Sequence, residues 1–415
     1  MYSVDQALER ILAAFERLPA ERVMLDDALG RTLAADVRAS EDLPPFANSS
    51  MDGYAVRADD VAQAGRNHGV RLGVVSDIPA GTYSDRPIGP GEAARIMTGA
   101  PMPPGADAVI PVEQTDSPPE RFQPGQAAPK AVQVYAAAAP GAYVRSAGED
   151  VRAGQVVLRA GRRLRAADLG VLAGLGLGQV DVVRRPRVAI ISTGDELLEV
   201  GEALTPGKIR DSNGYAITAL ARDLGAEAVR LGIARDSVSD VLAHLEQALA
   251  FSANLIISTA GVSVGAFDVV KVAVEQLGAL DFWKVNMRPG KPLVFGQVQG
   301  VPFAGLPGNP VSAMVTFDVF LRPAIRKMMG LTASVPTVEA ELVEVMHSDG
   351  RRTYVRVTLA RDGDRLLARS TGNQSSGVLT SLVQADGLLI IPEGTAGDIP
   401  AGTRLPVRLY GEDLR

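Results

Sequence analysis

Three short segments of this 415-residue chain place hydroxyls, small residues and carboxylates directly after apolar runs. After VAII comes STGDEL, with Ser192, Thr193, Gly194, Asp195 and Glu196. After LII comes STAGVSVGAFD, with Ser258, Thr259, Gly261, Ser263, Gly265 and Asp268. After VPFAG comes LPGNPVSA, with Pro307, Gly308 and Asn309, and with Pro310 set as the first residue of a helix. Glycines let peptide N–H groups approach a ligand closely, and a helix that starts there favours negative charge. A phosphate-bearing or oxyanion guest is therefore expected. Each loop alone also satisfies the geometry of a strand-to-helix turn. Three on one predicted sheet edge tip the reading towards a site, because open α/β sheets bind ligands beyond the carboxyl ends of their strands.

Carboxylates accompany these loops: Glu196, Asp268, Asp211 in IRDSNG and Asp236 in IARDS. Acids beside a phosphate cradle repel the ligand unless a cation bridges them. With no cysteine and three histidines, that cation should be hard and oxygen-seeking, such as Mg²⁺. Asp211 also reads as a helix cap, and Asp236 as a solvated loop residue. Positive charge comes from FWKVNMRPGKPLVF, where Lys284, Arg288 and Lys291 form a predicted anion clamp. GVSVG matches G-x-S-x-G, the nucleophile elbow of serine hydrolases. That chemistry needs a later histidine, and the one available is His347, in a stretch (VEVMHSDGRRT) that reads as a hairpin. Ser263 is accordingly read as a ligand-holding hydroxyl rather than a nucleophile. GLGLG at 174–178 follows a helix and precedes a strand, the reverse of a dinucleotide fingerprint, and reads as a helix end and turn.

The elements that must position these residues follow from periodicity. Residues 1–41 read as helix, with Ser3 and Gln6 as a capping box, and residues 142–181 join them in a helical and linker region. Residues 42–141, rich in Gly and Pro with short β-prone runs, read as an inserted β-rich subdomain. Strands alternating with amphipathic helices over 182–330 predict an α/β domain with a mostly parallel sheet. Residues 331–415 read as a small antiparallel β domain. The expected fold is thus α/β and multi-domain. A net charge of −6 argues against nucleic acid or acidic membrane as a partner, and no run nears the roughly 18 apolar residues of a membrane span. The N-terminus lacks the pattern of a signal peptide, so a cytoplasmic location is expected.

Three further segments, NSSMDGYAVRADD, TGAPMPPGADAVIP and GED at 148–150, carry no chemistry readable from residue types alone. Together with RPRVAIISTGDEL, STAGVSVGAFD, KVNMRPGKP and GLPGNPVSA, in order over nearly the whole chain, they resemble the molybdopterin molybdenumtransferase family, which includes the E domain of gephyrin. The resemblance implies a homodimer whose cleft lies between the α/β domain of one subunit and the N-terminal domains of the other. It implies a reaction in which molybdate enters adenylylated molybdopterin, the pyrophosphate link is hydrolysed and AMP leaves. Carried over by motif, Asp52, Glu196, Asp236 and Asp268 match the family's functional acids. Glu196, Asp236 and Asp268 are the expected metal ligands. Lys284 and Arg288 match its basic pair, the second being lysine in some members. Asp52, Glu196, Asp268, Lys284 and Arg288 are the implied catalytic set. Thr98, Asp150, Arg356 and Ser376 match polar positions of the substrate site, which the strand-end loops and Lys291 complete. Ala260 stands where the family usually has glycine. A molybdopterin adenylyltransferase and molybdoenzyme maturation proteins are the implied partners. A non-catalytic gephyrin-like scaffold and a tungstate insertase are the alternatives on the same fold.

Overall fold

Apolar runs of five to eight residues, separated by amphipathic helices, form the largest sheet. The computed structural model describes residues 1–117, 126–260 and 266–410, apart from the side chains at 266–268 and 282. Its six-stranded sheet runs Glu227–Ala234, Arg187–Thr193, Leu255–Thr259, Val301–Leu306, Pro292–Val298, Gly278–Lys284. The first four strands are parallel and the last two antiparallel. Antiparallel pairing of the fifth strand follows from its two-residue connection. Gln299 and Gly300 both take positive φ (47° and 81°), the mirror-image turn whose twist suits a hairpin.

Alternation along each parallel strand decides which layer a side chain joins. Val188 and Ile190 pack with helix Asn213–Asp223, the helical run Pro310–Met328 and helix Val4–Ala13, while Ala189 and Ile191 pack with helices Val238–Ala250 and Ala266–Leu277. The result is a sheet covered on both faces, as buried parallel strands require. The Ser3–Gln6 capping box starts Val4–Ala13 as the sequence suggests. The helix expected over residues 1–41 is confined to those ten residues. Strand Ala20–Met24 follows, paired antiparallel with Gln179–Val183. A partner 159 positions away from Arg22 overrides local helical preference there.

The C-terminal strands close on themselves. Arg352–Asp362, Arg365–Ser370, Thr337–Leu342, Arg404–Leu409 and Gly387–Ile391 pair in sequence, and the last returns to the first. The stretch expected to be a hairpin around His347 is not one. Strand Met346–Asp349 pairs with Ala396–Ile399 instead. The following strand offers no free edge to it: Thr353 pairs with Arg288 on one side and Ile391 on the other, and Arg352 already pairs with Met287.

By internal contacts the chain divides into two units, one of residues 1–34, 161–165 and 179–415, the other of 35–160 and 166–178. The second unit is built on a five-stranded sheet, ordered Ala108–Pro111, Gly53–Val56, Glu92–Ile96, Val70–Ile78, Ala131–Val134. Tyr54, Val56, Leu72 and Ile110 fill one face of that sheet, and Ala55, Ile78, Ile96 and Val109 the other.

One buried ion cluster ties the C-terminal barrel to the α/β layer. Asp318, in the π-turn Phe317–Leu321, accepts hydrogen bonds from Arg322 and Arg408, each at 2.9 Å, and Arg408 also donates to the Asp318 carbonyl at 2.8 Å. Nearby, burial pushes the Tyr410 hydroxyl well above the ordinary tyrosine range. Asp318→Ala should leave two guanidinium groups uncompensated and lower stability by about 3 kcal/mol. Urea unfolding followed by circular dichroism checks this, and an unchanged midpoint would count against the cluster as a fastener.

Candidate functional site

The carboxyl ends of the central parallel strands lie on one edge, with Ser192 beside Thr259 and Thr259 beside Leu306. A cleft of about 560 Å³ opens there, lined by Glu196, Arg210, Asp211, Asn213, Thr259, Ala260 and the run 307–310 among others. Glu196, Pro307, Gly308 and Asn309 are thus brought to one cleft. Pro310 is the first residue of its helix and Asn309 its N-cap.

Ser192 and Thr193 do not line this cleft. Both are buried, and their hydroxyls serve the framework beneath it. Ser192 Oγ donates to Asp211 Oδ2 at 2.7 Å and accepts from Thr259 Oγ1 at 3.2 Å, while Thr193 Oγ1 donates to the Thr259 carbonyl at 3.3 Å. As consecutive strand residues they point to opposite faces, and both are enclosed because both faces of the sheet are covered, which residue type alone did not reveal. Asp211 proves to be the cap that its position allowed. Only 1% exposed, its Oδ1 accepts the Gly214 N–H at 2.8 Å in the first turn of helix Asn213–Asp223. Position 214 must be glycine, because a Cβ there would reach 2.6 Å from Ser192 Oγ and collide with Asp211. Asn213 then donates to the Gly308 carbonyl at 2.8 Å, joining the first and third strand-end loops.

The Gly194–Glu196 turn neighbours the 234–236 turn. Gly194 N–H donates to the Ala234 carbonyl and Asp236 N–H to Asp195 Oδ1, both at 3.2 Å. Glu196 and Asp236 are exposed carboxylates. Among the described residues no group of three or more His, Cys, Asp or Glu converges as a metal cage. Gly261, Ser263 and Gly265, and the side chain of Asp268, lie outside the described residues.

A second cleft, of about 570 Å³, is lined by residues next to those of the first in the chain: Lys291 precedes Pro292, and Ser312 lies two residues beyond Pro310. Arg288, Lys291 and Arg351 supply positive charge, and Asn373, Gln374, Ser375 and Ser376 face them, with no carboxylate in the lining. Arg288 lies 3.6 Å from Asp349. Asp349 is held down to about 2 chiefly by its hydrogen bonds from Arg351, so it stays ionised beside both arginines. Gly290, with φ of 104°, turns the chain between the two cations, and a Cβ there would meet Thr316 Oγ1 at 2.5 Å. Lys284 ends the edge strand as an exposed residue and lines neither cleft.

Arg356 faces inward too. It is 1% exposed and donates to Ser381 Oγ at 3.1 Å, and to the Asn373 and Ser375 carbonyls at 3.4 and 3.2 Å. Its N–H and carbonyl also hold both ends of the Gln374 amide. Burial lowers its guanidinium below the ordinary arginine value, and the nearby charge of Arg288 acts in the same direction. Arg356 therefore shapes the 373–376 loop, and Ser376 completes the connection by accepting the Val311 N–H at 3.1 Å.

In the other unit, Asp52 and Thr98 are neighbours. Asp52 Oδ1 accepts from the Thr98 N–H at 2.7 Å and from its hydroxyl at 2.8 Å. Asp150 is exposed, with its N–H bonded to the Leu43 carbonyl at 3.0 Å. Site residues that sequence reasoning missed are Asn213, Arg351 and the 373–375 run. The polar string STGNQSSG was a usable signal for the last of these.

Comparison with known proteins matches residues 2–176 to the MoeA N-terminal region (domains I and II), 189–327 to a probable molybdopterin binding domain and 339–410 to the MoeA C-terminal region (domain IV). Molybdopterin molybdenumtransferase 2 of Mycobacterium tuberculosis is 42% identical over 93% of this chain and 94% of its own. The molybdopterin molybdenumtransferase of Bacillus subtilis is 37% identical over 99% and 94% respectively. The crystal structure of a molybdopterin biosynthesis MoeA protein from Pyrococcus horikoshii superposes with a TM-score of 0.83 at 32% identity, covering both chains fully.

The clasp on the 373–376 loop is open to test. Arg356→Lys keeps a charge but loses the fork of donors. Amides of that loop should then exchange with solvent at least about tenfold faster, a loss of roughly one or two net hydrogen bonds. Hydrogen exchange should leave strands Thr337–Leu342 and Arg404–Leu409 unchanged. Equal acceleration throughout the barrel would instead mark Arg356 as a general core residue.

Proposed function

The chain belongs to the molybdopterin molybdenumtransferase (MoeA) family and is an enzyme of molybdenum cofactor biosynthesis; from that premise we propose that it inserts molybdate into adenylylated molybdopterin, hydrolysing the pyrophosphate link and releasing AMP. The observation that carries this reading is the pair of clefts with opposite character. The first offers backbone N–H groups, a helix start and carboxylates, which suits a pyrophosphate held with a divalent cation. The second offers three cations and several hydroxyl or amide groups without a carboxylate, which suits a tetrahedral dianion.

In this reading Arg288 and Lys291 hold molybdate, with Ser376 and the loop shaped by Arg356 closing round it. Lys284 adds positive charge at the end of its strand. Thr259 and the run 307–310 cradle the phosphates, with the GVSVG loop, including Gly261, Ser263 and Gly265, as further backbone donors, while Gly194, its N–H bonded to the Ala234 carbonyl, shapes the turn that carries Glu196. Glu196, Asp236 and Asp268 supply oxygen ligands alone, which fits Mg²⁺ rather than a softer metal. The metal supplies neutralisation of phosphate charge when bound. Glu196 and Asp268 orient the attacking water, and AMP departs with the bridging oxygen.

Asp52, with Thr98 fixed on it, and Asp150 belong to the substrate site as contributions of the partner in a homodimer. Val200, Leu204 and Ile209, each more than half exposed on the segment that rims the first cleft, support a docking surface there. Substrate delivery by a molybdopterin adenylyltransferase and hand-over to molybdoenzyme maturation proteins complete the proposal. No helix among the described residues is long and apolar enough to cross a membrane. A cytoplasmic location is part of the same reading.

The deciding assay is AMP release from adenylylated molybdopterin by the purified protein in Mg²⁺, with and without molybdate. Molybdate-dependent release, abolished by EDTA, is expected; substrate binding without AMP release in any metal would overturn the proposal. Asp268→Asn should lower turnover by about a hundredfold with an unchanged circular dichroism spectrum. Ser263→Ala should retain turnover, since its hydroxyl binds rather than attacks. Complete loss with normal substrate affinity would restore the nucleophile.

A further inference from the structure

The first cleft poses an electrostatic problem. Two carboxylates, Glu196 and Asp211, are in its lining against the single guanidinium of Arg210, yet the proposed occupant is an anion. Glu196 is exposed to solvent, which screens its charge. Asp211 is buried, so water screens its charge poorly and its field reaches the cleft.

Arg230 stands behind it. This residue lies on strand Glu227–Ala234, lines neither cleft, and its side chain is 19% exposed. One of its nitrogens is 3.4 Å from Asp211 Oδ2. The same guanidinium forks onto Glu199 at 3.0 and 2.7 Å, donates to the Tyr215 hydroxyl at 3.3 Å and stacks over the Tyr215 ring at 4.4 Å from its centroid. Hydrogen bonding to Glu199 raises Arg230 above its ordinary value and holds Glu199 below its own. Three elements thus meet on one cation: the segment after Glu196, the first turn of helix Asn213–Asp223 and the edge strand.

We propose that Arg230 is a positioning residue for anion binding, its largely enclosed charge offsetting that of Asp211 while its fork onto Glu199 holds the guanidinium in place behind the cleft. Without it, Asp211 repels the phosphates that Gly308, Asn309 and the neighbouring helix starts attract. This rests on the assignment of pyrophosphate to the first cleft.

Inorganic pyrophosphate, titrated calorimetrically into the full-length protein with Mg²⁺, is the probe. Arg230→Met should bind it about tenfold more weakly, the effect of one uncompensated charge at this range and burial. Adding Asp211→Asn to that variant should recover most of the loss, because the buried carboxylate in the cleft lining is then neutral and the Glu199 left unpaired is screened by solvent. A purely structural role predicts the opposite, a double variant worse than either single one. Where the methionine variant does not fold, Arg230→Lys and Arg230→Gln differ mainly in charge. Lysine should bind within about threefold of the parent and glutamine about tenfold more weakly. Parent-like affinity in Arg230→Met or Arg230→Gln, or no recovery in the double variant, would overturn the inference and leave the cleft assignment standing. A parent protein that binds no pyrophosphate would overturn both.

Discussion

Burying a carboxylate at the carboxyl edge of a parallel sheet costs several kcal/mol unless each of its oxygens is answered. Asp211 meets that condition with the Ser192 hydroxyl, the Gly214 N–H and the Arg230 guanidinium. Much of the site's form depends on those bonds. Ser192 in turn takes the Thr259 hydroxyl, so adjacent strand ends are locked in step. The helix start fixed by Gly214 sets Asn213 against Gly308, which positions the third loop. The glycine at 214, the serine at 192 and the asparagine at 213 are therefore consequences of one buried charge. Their arrangement makes a cleft whose wall is rigid before any ligand arrives.

Beside it the second cleft is organised by the opposite charge. Arg356 is buried and spends its donors on loop carbonyls, so the 373–376 loop is drawn over Arg288 and Lys291. The two clefts draw on neighbouring residues at 291–292 and 310–312, where a hairpin strand and a helix begin. An acidic lining and a basic one thus lie in neighbouring stretches of the same chain. Neither would bind its proposed occupant well if the charges were mixed.

Local signals were legible in the sequence where they acted locally. The Ser3–Gln6 box and Pro310 at a helix start both rest on neighbours within a turn. The three strand-end loops were found because glycine and hydroxyl residues cluster there. Other features needed the fold. Met346–Asp349 lost its hairpin partner because the next strand was already taken, Arg352 by Met287 and Thr353 by both Arg288 and Ile391, a matter of available edges. Arg356, in the alternating string TYVRVT, looks like an outward polar residue and is among the most buried. Arg230 gives no sign at all, since a single arginine on an edge strand is ordinary until its acidic neighbours arrive from elsewhere. Ser192 and Thr193 were found but are buried, because the sheet is covered on both faces and consecutive strand residues are enclosed whichever face they take.

The division of the chain into two units has a consequence for how it can be cut. The backbone passes between them four times, at 34–35, 160–161, 165–166 and 178–179. A protease that severs one crossing leaves the others intact, so a nicked molecule stays in one piece. Nor can a single genetic crossover exchange either unit whole, because each is scattered along the gene. The two units are bound to be inherited, synthesised and degraded together, however separately each is built.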